Sequence, residues 1–72
     1  MDLFELKRIA DKLLAGFPWR KHGRIGVHIQ SSSIRVSGSS EAVTVVMHSD
    51  ILSDLEKDLL IYEITDSDII VD

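Results

Sequence analysis

Arg24 to His48 is the stretch that most limits what this chain can become. In Arg24-Ile25-Gly26-Val27-His28-Ile29-Gln30, the residues Ile25, Val27 and Ile29 alternate with Arg24, Gly26, His28 and Gln30. Successive side chains of an extended chain point to opposite faces, so this alternation is that of a half-buried strand. Ser31-Ser32-Ser33 interrupts it, and Ile34-Arg35-Val36-Ser37 resumes it. After Gly38-Ser39-Ser40-Glu41 comes a third apolar run, Ala42-Val43-Thr44-Val45-Val46-Met47-His48. The serines at 31–33, 37, 39 and 40 and the glycine at 38 are turn residues. The pattern predicts a three-stranded antiparallel meander with one apolar and one polar face.

The flanking segments complete the expected fold. Asp2 with Glu5 three residues on matches a helix cap. Leu3, Leu6, Ile9, Ala10, Leu13 and Leu14 recur at helical spacing, while Lys7, Arg8, Asp11 and Lys12 fill the other side. Gly16 and Pro18 end that helix, and Phe17 and Trp19 flank the proline in position to fold back as a lid on the core. Beyond Ser49, the residues Ile51, Leu52, Leu55, Leu59 and Tyr62 again show helical spacing, with Ser53 and Glu56 a second capping match. The run Leu60 to Ile64 also satisfies a strand pattern; the helix is taken through about Tyr62. Ile69-Ile70-Val71 reads as a short edge strand. The expected fold class is α+β: a small three- to four-stranded antiparallel sheet with two helices on one face, order α-β-β-β-α-β, in a single domain spanning 1–72.

Composition narrows the function classes. There is no cysteine, which removes disulfides and thiolate chemistry. The N-terminus, Met1 to Glu5, is acidic and amphipathic, unlike a secretory signal. Apolar runs such as Val45 to Met47 and Leu59 to Tyr62 fall far short of the roughly 20 residues a membrane helix needs. A cytoplasmic protein with no membrane partner is expected. The net charge of −4 hides an asymmetry: residues 1–36 carry seven basic and three acidic side chains, residues 37–72 one basic and nine acidic. Such a split bears on partners rather than on fold.

Motifs for catalysis are absent from this pattern. The serines sit in turn clusters rather than in a Gly-x-Ser-x-Gly elbow, and the four glycines are isolated rather than grouped in a phosphate loop. His22 belongs to a basic loop, while His28 and His48 belong to the first and third expected strands, where they could share a sheet face. Two imidazoles alone fall short of a zinc site. No metal, no cofactor and no enzymatic activity are expected.

Two surfaces remain as candidates. Trp19, Arg20, Lys21, His22 and Arg24 combine cations with an aromatic ring, a combination suited to anions and to nucleic acid. Asp50, Asp54, Glu56, Asp58, Glu63, Asp66 and Asp68 form an acidic surface suited to a basic protein partner. Three patches, Leu13 to Phe17, Gly26 to Ile29 and Val43 to His48, resemble the HicA toxins. That resemblance implies an α-β-β-β-α shape like that of double-stranded-RNA-binding domains, and RNA cleavage by a strand histidine, here His28. Residues 50–63 are acidic where that family's last helix is basic, and the chain is not assigned to it on these patches. The expectation is a small non-enzymatic interaction protein (an inhibitor, adaptor or regulatory subunit) that binds another protein by charge-steered docking, with homodimerisation as a further possibility. Exposed apolar side chains such as Trp19, Ile61 or Tyr62 would serve as anchors. The competing expectation is a nucleic-acid-binding or RNA-cleaving protein that uses the basic loop and His28.

Overall fold

The computed structural model describes residues 2–65. Asp2 caps the first helix, α1 (Leu3–Gly16), its carboxylate accepting the Glu5 backbone N–H at 2.9 Å. Leu6, Ile9, Ala10 and Leu13 form the buried stripe of that helix. Pro18 forces the chain out of α1 and into a single turn, α2 (Trp19–His22). Two strands follow, β1 (Gly26–Ile29) and β2 (Ile34–Gly38), paired antiparallel with Val27 opposite Val36 and His28 opposite Arg35. Then come α3 (Ser40–His48), the short α4 (Asp54–Lys57) and β3 (Leu60–Ile64).

The result is a small α+β domain whose three-stranded sheet has the order β1-β2-β3. It is mixed: β3 runs parallel to β2, with Ile34 opposite Leu60 and Val36 opposite Tyr62. The core joins Leu6, Ile9 and Leu13 of α1 to Ile34 and Val36 of β2, Ala42 and Val46 of α3, and Leu60 of β3. Both longer helices therefore pack on the face that carries Ile34 and Val36. The opposite face, with His28, Arg35, Ser37, Ile61 and Glu63 in register, is polar and carries the exposed Ile61.

Three expectations are corrected here. Residues 42–48 are helix rather than a third strand. Ser39 caps them by accepting the Ala42 N–H at 3.1 Å, and the buried positions Ala42, Val43 and Val46 follow helical spacing. Thr44 satisfies its hydroxyl within the helix by donating to the Ser40 carbonyl at 2.8 Å. A parallel β2–β3 pair also requires a crossover, which a tight turn cannot supply and α3 does. The second correction concerns the helix taken through Tyr62, which stops at Lys57; Leu60 to Ile64 is strand, and the order is α-α-β-β-α-α-β. The sheet is therefore not wholly antiparallel. The third concerns the lid on the core. Phe17 supplies it, being 4% exposed, whereas Trp19 is 42% exposed. The expected strand at 69–71 lies outside the described residues.

Candidate functional site

The geometry around Trp19 begins with Pro18, whose carbonyl accepts the N–H groups of Lys21 and His22 at 3.1 and 3.2 Å. The turn closes when the Gly23 N–H donates to the Trp19 carbonyl at 2.8 Å. Gly23 has φ 92° and ψ 167°, a region open essentially to glycine alone. That conformation turns the chain back so that the Arg24 guanidinium carbon lies 4.5 Å from the centroid of the Trp19 ring. Arg20 lies against the same ring at 5.0 Å. A guanidinium held against an aromatic ring keeps its in-plane N–H groups available for a carboxylate or phosphate, in a fork that suits bidentate contact.

Two anchors hold this turn to the body of the protein. Phe17 is buried beneath it. His22 places Nδ1 2.8 Å from Glu41 Oε2 of α3, with only 19% of its side chain exposed. Sequence reasoning grouped His22 with the outward cations of the loop; instead it points inward to Glu41 and bridges α2 and α3. Leu14, Phe17, Trp19, Arg24 and Ile25 line a half-open pocket of about 210 Å³. Four of these residues have apolar side chains and the fifth brings the stacked guanidinium, and the surface they leave open is slightly more polar than apolar. Leu14 and Ile25 are walls that the sequence pattern does not reveal, because it places Leu14 on the apolar stripe of α1 and Ile25 on the inward side of a strand. Leu14 is in fact exposed at the edge of that stripe.

The expected acidic surface does not come together as one face. Glu56 is drawn inward: it accepts from the Ser53 backbone N–H at 2.8 Å in a complete capping box, and from Lys12 Nζ of α1 at 3.2 Å. These contacts, the Ser53 N–H foremost, hold its carboxyl below the ordinary glutamate value. Glu63 faces Arg35 across the β2–β3 pair at 3.5 Å. Asp50, Asp54 and Asp58 are exposed, with no ion pair among the described residues. Asp66 and Asp68 lie outside the described residues.

The histidines are likewise separated. His28 is exposed on the open face of the sheet, next to Arg35, while His48 ends α3 rather than a strand. A Cβ at Gly26 would stand 2.7 Å from Ser37 Oγ and 3.4 Å from His28 Nε2, so the glycine lets those two side chains close over β1. Among the described residues no group of three or more His, Cys, Asp or Glu side chains could hold a metal ion. No helix of the described residues is long and apolar enough to cross a membrane. Of the two other candidate anchors, Ile61 is exposed and Tyr62 is half-buried, where burial pushes its hydroxyl pKa upward.

No protein-family model, curated protein or solved structure matches the chain. The α-β-β-β-α order implied by the HicA resemblance is not the order of this fold, because residues 42–48 are helical and β3 pairs in parallel.

Proposed function

We propose that this chain is a small non-enzymatic interaction protein, an inhibitor, adaptor or regulatory subunit, that docks on another protein through the Trp19–Arg24 turn. The observation that carries this reading is the pair of guanidiniums resting on the exposed Trp19 ring beside a half-open pocket. Exposed aromatic and arginine side chains are the residue types that dominate binding at protein interfaces. Arg20, Lys21 and Arg24 have no ion pair among the described residues. Two ion pairs, Lys12–Glu56 and Arg35–Glu63, join the basic first half to the acidic second. Arg20, Lys21 and Arg24 stand outside these pairs and make this turn a concentrated positive surface. An acidic segment of a partner is the complement, with encounter steered by charge. A homodimer is the same docking applied to the exposed Asp50, Asp54 and Asp58 of a second copy, in a cytoplasmic setting.

Trp19 is the only tryptophan in the chain, so its emission reports occupancy directly. Titration with polyglutamate is expected to give a saturable change that weakens as salt rises. The double change Arg20→Glu with Lys21→Glu should abolish it, while Asp54→Lys should not. Tighter binding of a single-stranded oligonucleotide than of polyglutamate at matched salt would replace this reading with the nucleic-acid one.

A further inference from the structure

We infer that the solvent-facing seam of α1 is a self-association surface, on which a second copy of this chain packs with its own α1 running antiparallel. The inference goes beyond the docking reading above and uses a different surface. Phe4, Lys7, Asp11 and Leu14 are all exposed. Their spacing of three, four and three residues is that of the a and d positions of a heptad, so they line one seam of the helix. At about 100° per residue, the seam lies about 130° around the helix from the buried Leu6, Ile9, Ala10 and Leu13. The core stripe therefore does not consume it. Phe4 is 77% and Leu14 48% exposed, so an apolar side chain is left in solvent at each end of the seam.

The order of side chains along the seam selects the occupant. It reads apolar, positive, negative, apolar; turned end for end, it reads apolar, negative, positive, apolar. A two-fold axis at the level of Ile9 therefore sets Lys7 against Asp11 of the second copy and Asp11 against its Lys7, with Phe4 against Leu14 at both ends. A parallel pair in register would set like charges together. Neither Lys7 nor Asp11 has an ion pair among the described residues. With lysine N-terminal to the acid, their i,i+4 arrangement is also the less favourable order for pairing within one helix. α1 and its Asp2 cap carry three acidic and three basic side chains, so the contact has no net charge although the chain carries −4.

Phe4, Lys7, Arg8 and Asp11 line a half-open pocket of about 250 Å³ whose open surface is more apolar than polar. These are positions i, i+3, i+4 and i+7, the four-residue hole that receives a side chain of a facing helix. In the antiparallel register the second copy brings Leu14 to the Phe4 end of this hole and Asp11 to Lys7 at its middle. Arg8 is already held by Glu5 at 2.8 Å, which leaves Lys7 as the unpaired cation of the pocket. One short helix buries little area, under about 1,200 Å² in all, so the dimer is weak and depends on concentration.

Sedimentation equilibrium of the whole chain should show a monomer–dimer equilibrium at concentrations up to about 1 mM. Lys7→Glu makes the charged part of the seam wholly acidic, and Asp11→Lys makes it wholly basic. Each should weaken self-association about tenfold or more, and combining the two changes in one chain should restore it. Mixing the two single variants should give a heterodimer, which a loss of folding could not produce; circular dichroism checks that both keep their helix. A chain that stays monomeric throughout, a dimer indifferent to both single changes, or a mixture that associates no better than either variant alone would overturn the inference. A dimer lost with Asp54→Lys rather than with Lys7→Glu would also overturn it, and would assign self-association to the basic turn docked on a second copy.

Discussion

The turn from Trp19 to Arg24 and the segment from Asp50 to Asp58 are both dense in charge, yet they use it differently. In the acidic segment Glu56 and Lys57 are part of the scaffold, while Asp50, Asp54 and Asp58 stay exposed and unpaired among the described residues. Glu56 closes a capping box on Ser53 and reaches Lys12 on α1, and Lys57 donates to the Met47 carbonyl at 3.2 Å near the end of α3. In the basic turn the scaffold is supplied by other groups: Phe17 below, the His22–Glu41 pair at the side and Gly23 at the bend. Two of the cations there, Arg20 and Arg24, rest on an exposed ring. Charge that is consumed by caps and ion pairs stabilises, and charge that is positioned but unpaired is available to a ligand. The comparison predicts that substitutions in the two regions separate stability from binding.

The largest expected effect tests that separation within the turn itself. Phe17 and Trp19 sit two residues apart around Pro18, one buried and one exposed. Phe17→Ala should lower unfolding free energy by about 3–5 kcal/mol, because it removes a buried ring and leaves a cavity. Trp19→Ala should cost about 1 kcal/mol or less in stability while reducing affinity for polyglutamate tenfold or more. Urea unfolding alongside the titration checks both. Similar stability losses for the two variants would make Trp19 part of the core after all.

Next in size is Gly23→Ala. At φ 92° and ψ 167° a Cβ is strained whatever space surrounds it, and the expected cost is about 2 kcal/mol. Apart from its two chain neighbours, nothing lies within 4 Å of where that Cβ would be, so the penalty is one of backbone conformation. The variant should relieve the strain by moving Arg24 off the Trp19 ring, and binding should weaken together with stability. In the acidic segment, Ser53→Ala should cost about 1 kcal/mol by removing the α4 cap and leave binding unchanged. A Ser53→Ala variant that weakened binding would mean the two regions are coupled.

The parts of this fold that sequence reveals are those with a local cause. The first helix is legible because a capping aspartate, a one-sided apolar stripe and a Gly16–Pro18 stop agree with one another. The β1–β2 pair is legible from strict alternation. Residues 42–48 are ambiguous in sequence because Val43-Thr44-Val45-Val46 satisfies strand propensity as well as it satisfies a buried helix face. The choice between them was made by packing, with Ala42 and Val46 closing on β2, and by the parallel partner β3 that needs a crossover. Leu60 to Ile64 is short and apolar, and its state is fixed by the register with Ile34 to Gly38, which no local pattern contains. The site follows the same rule. Its cations and ring are adjacent in sequence and read there as one group. The His22–Glu41 pair joins residues 19 apart, and the Leu14 wall arrives from the preceding helix, so both depend on the folded chain.

The smallest effect concerns acid. Hydrogen bonding from the Ser53 N–H, and then from Lys12, holds Glu56 below the ordinary glutamate value, and hydrogen bonding from Arg8 does the same for Glu5. A carboxylate whose folded pKa is depressed binds protons less readily than in the unfolded chain. Its contribution is therefore fully present above the unfolded value, about 4.3, and is lost as pH falls below that toward the folded value. Stability should thus be flat with respect to these two groups from neutrality to about pH 5 and should decline below about pH 4. Glu56→Gln removes the titrating group, so the slope of stability against pH in that acid window should become shallower. Glu5→Gln should do the same through its pairing with Arg8. Denaturation midpoints of the three proteins from pH 3 to 7 check this. The binding of polyglutamate at pH 7 should be the same for all three, since neither glutamate lines the Trp19 pocket. An unchanged acid slope in Glu56→Gln would show that the capping carboxylate carries no linkage to folding, and the contrast between scaffold charge and ligand charge would then rest on the basic turn alone.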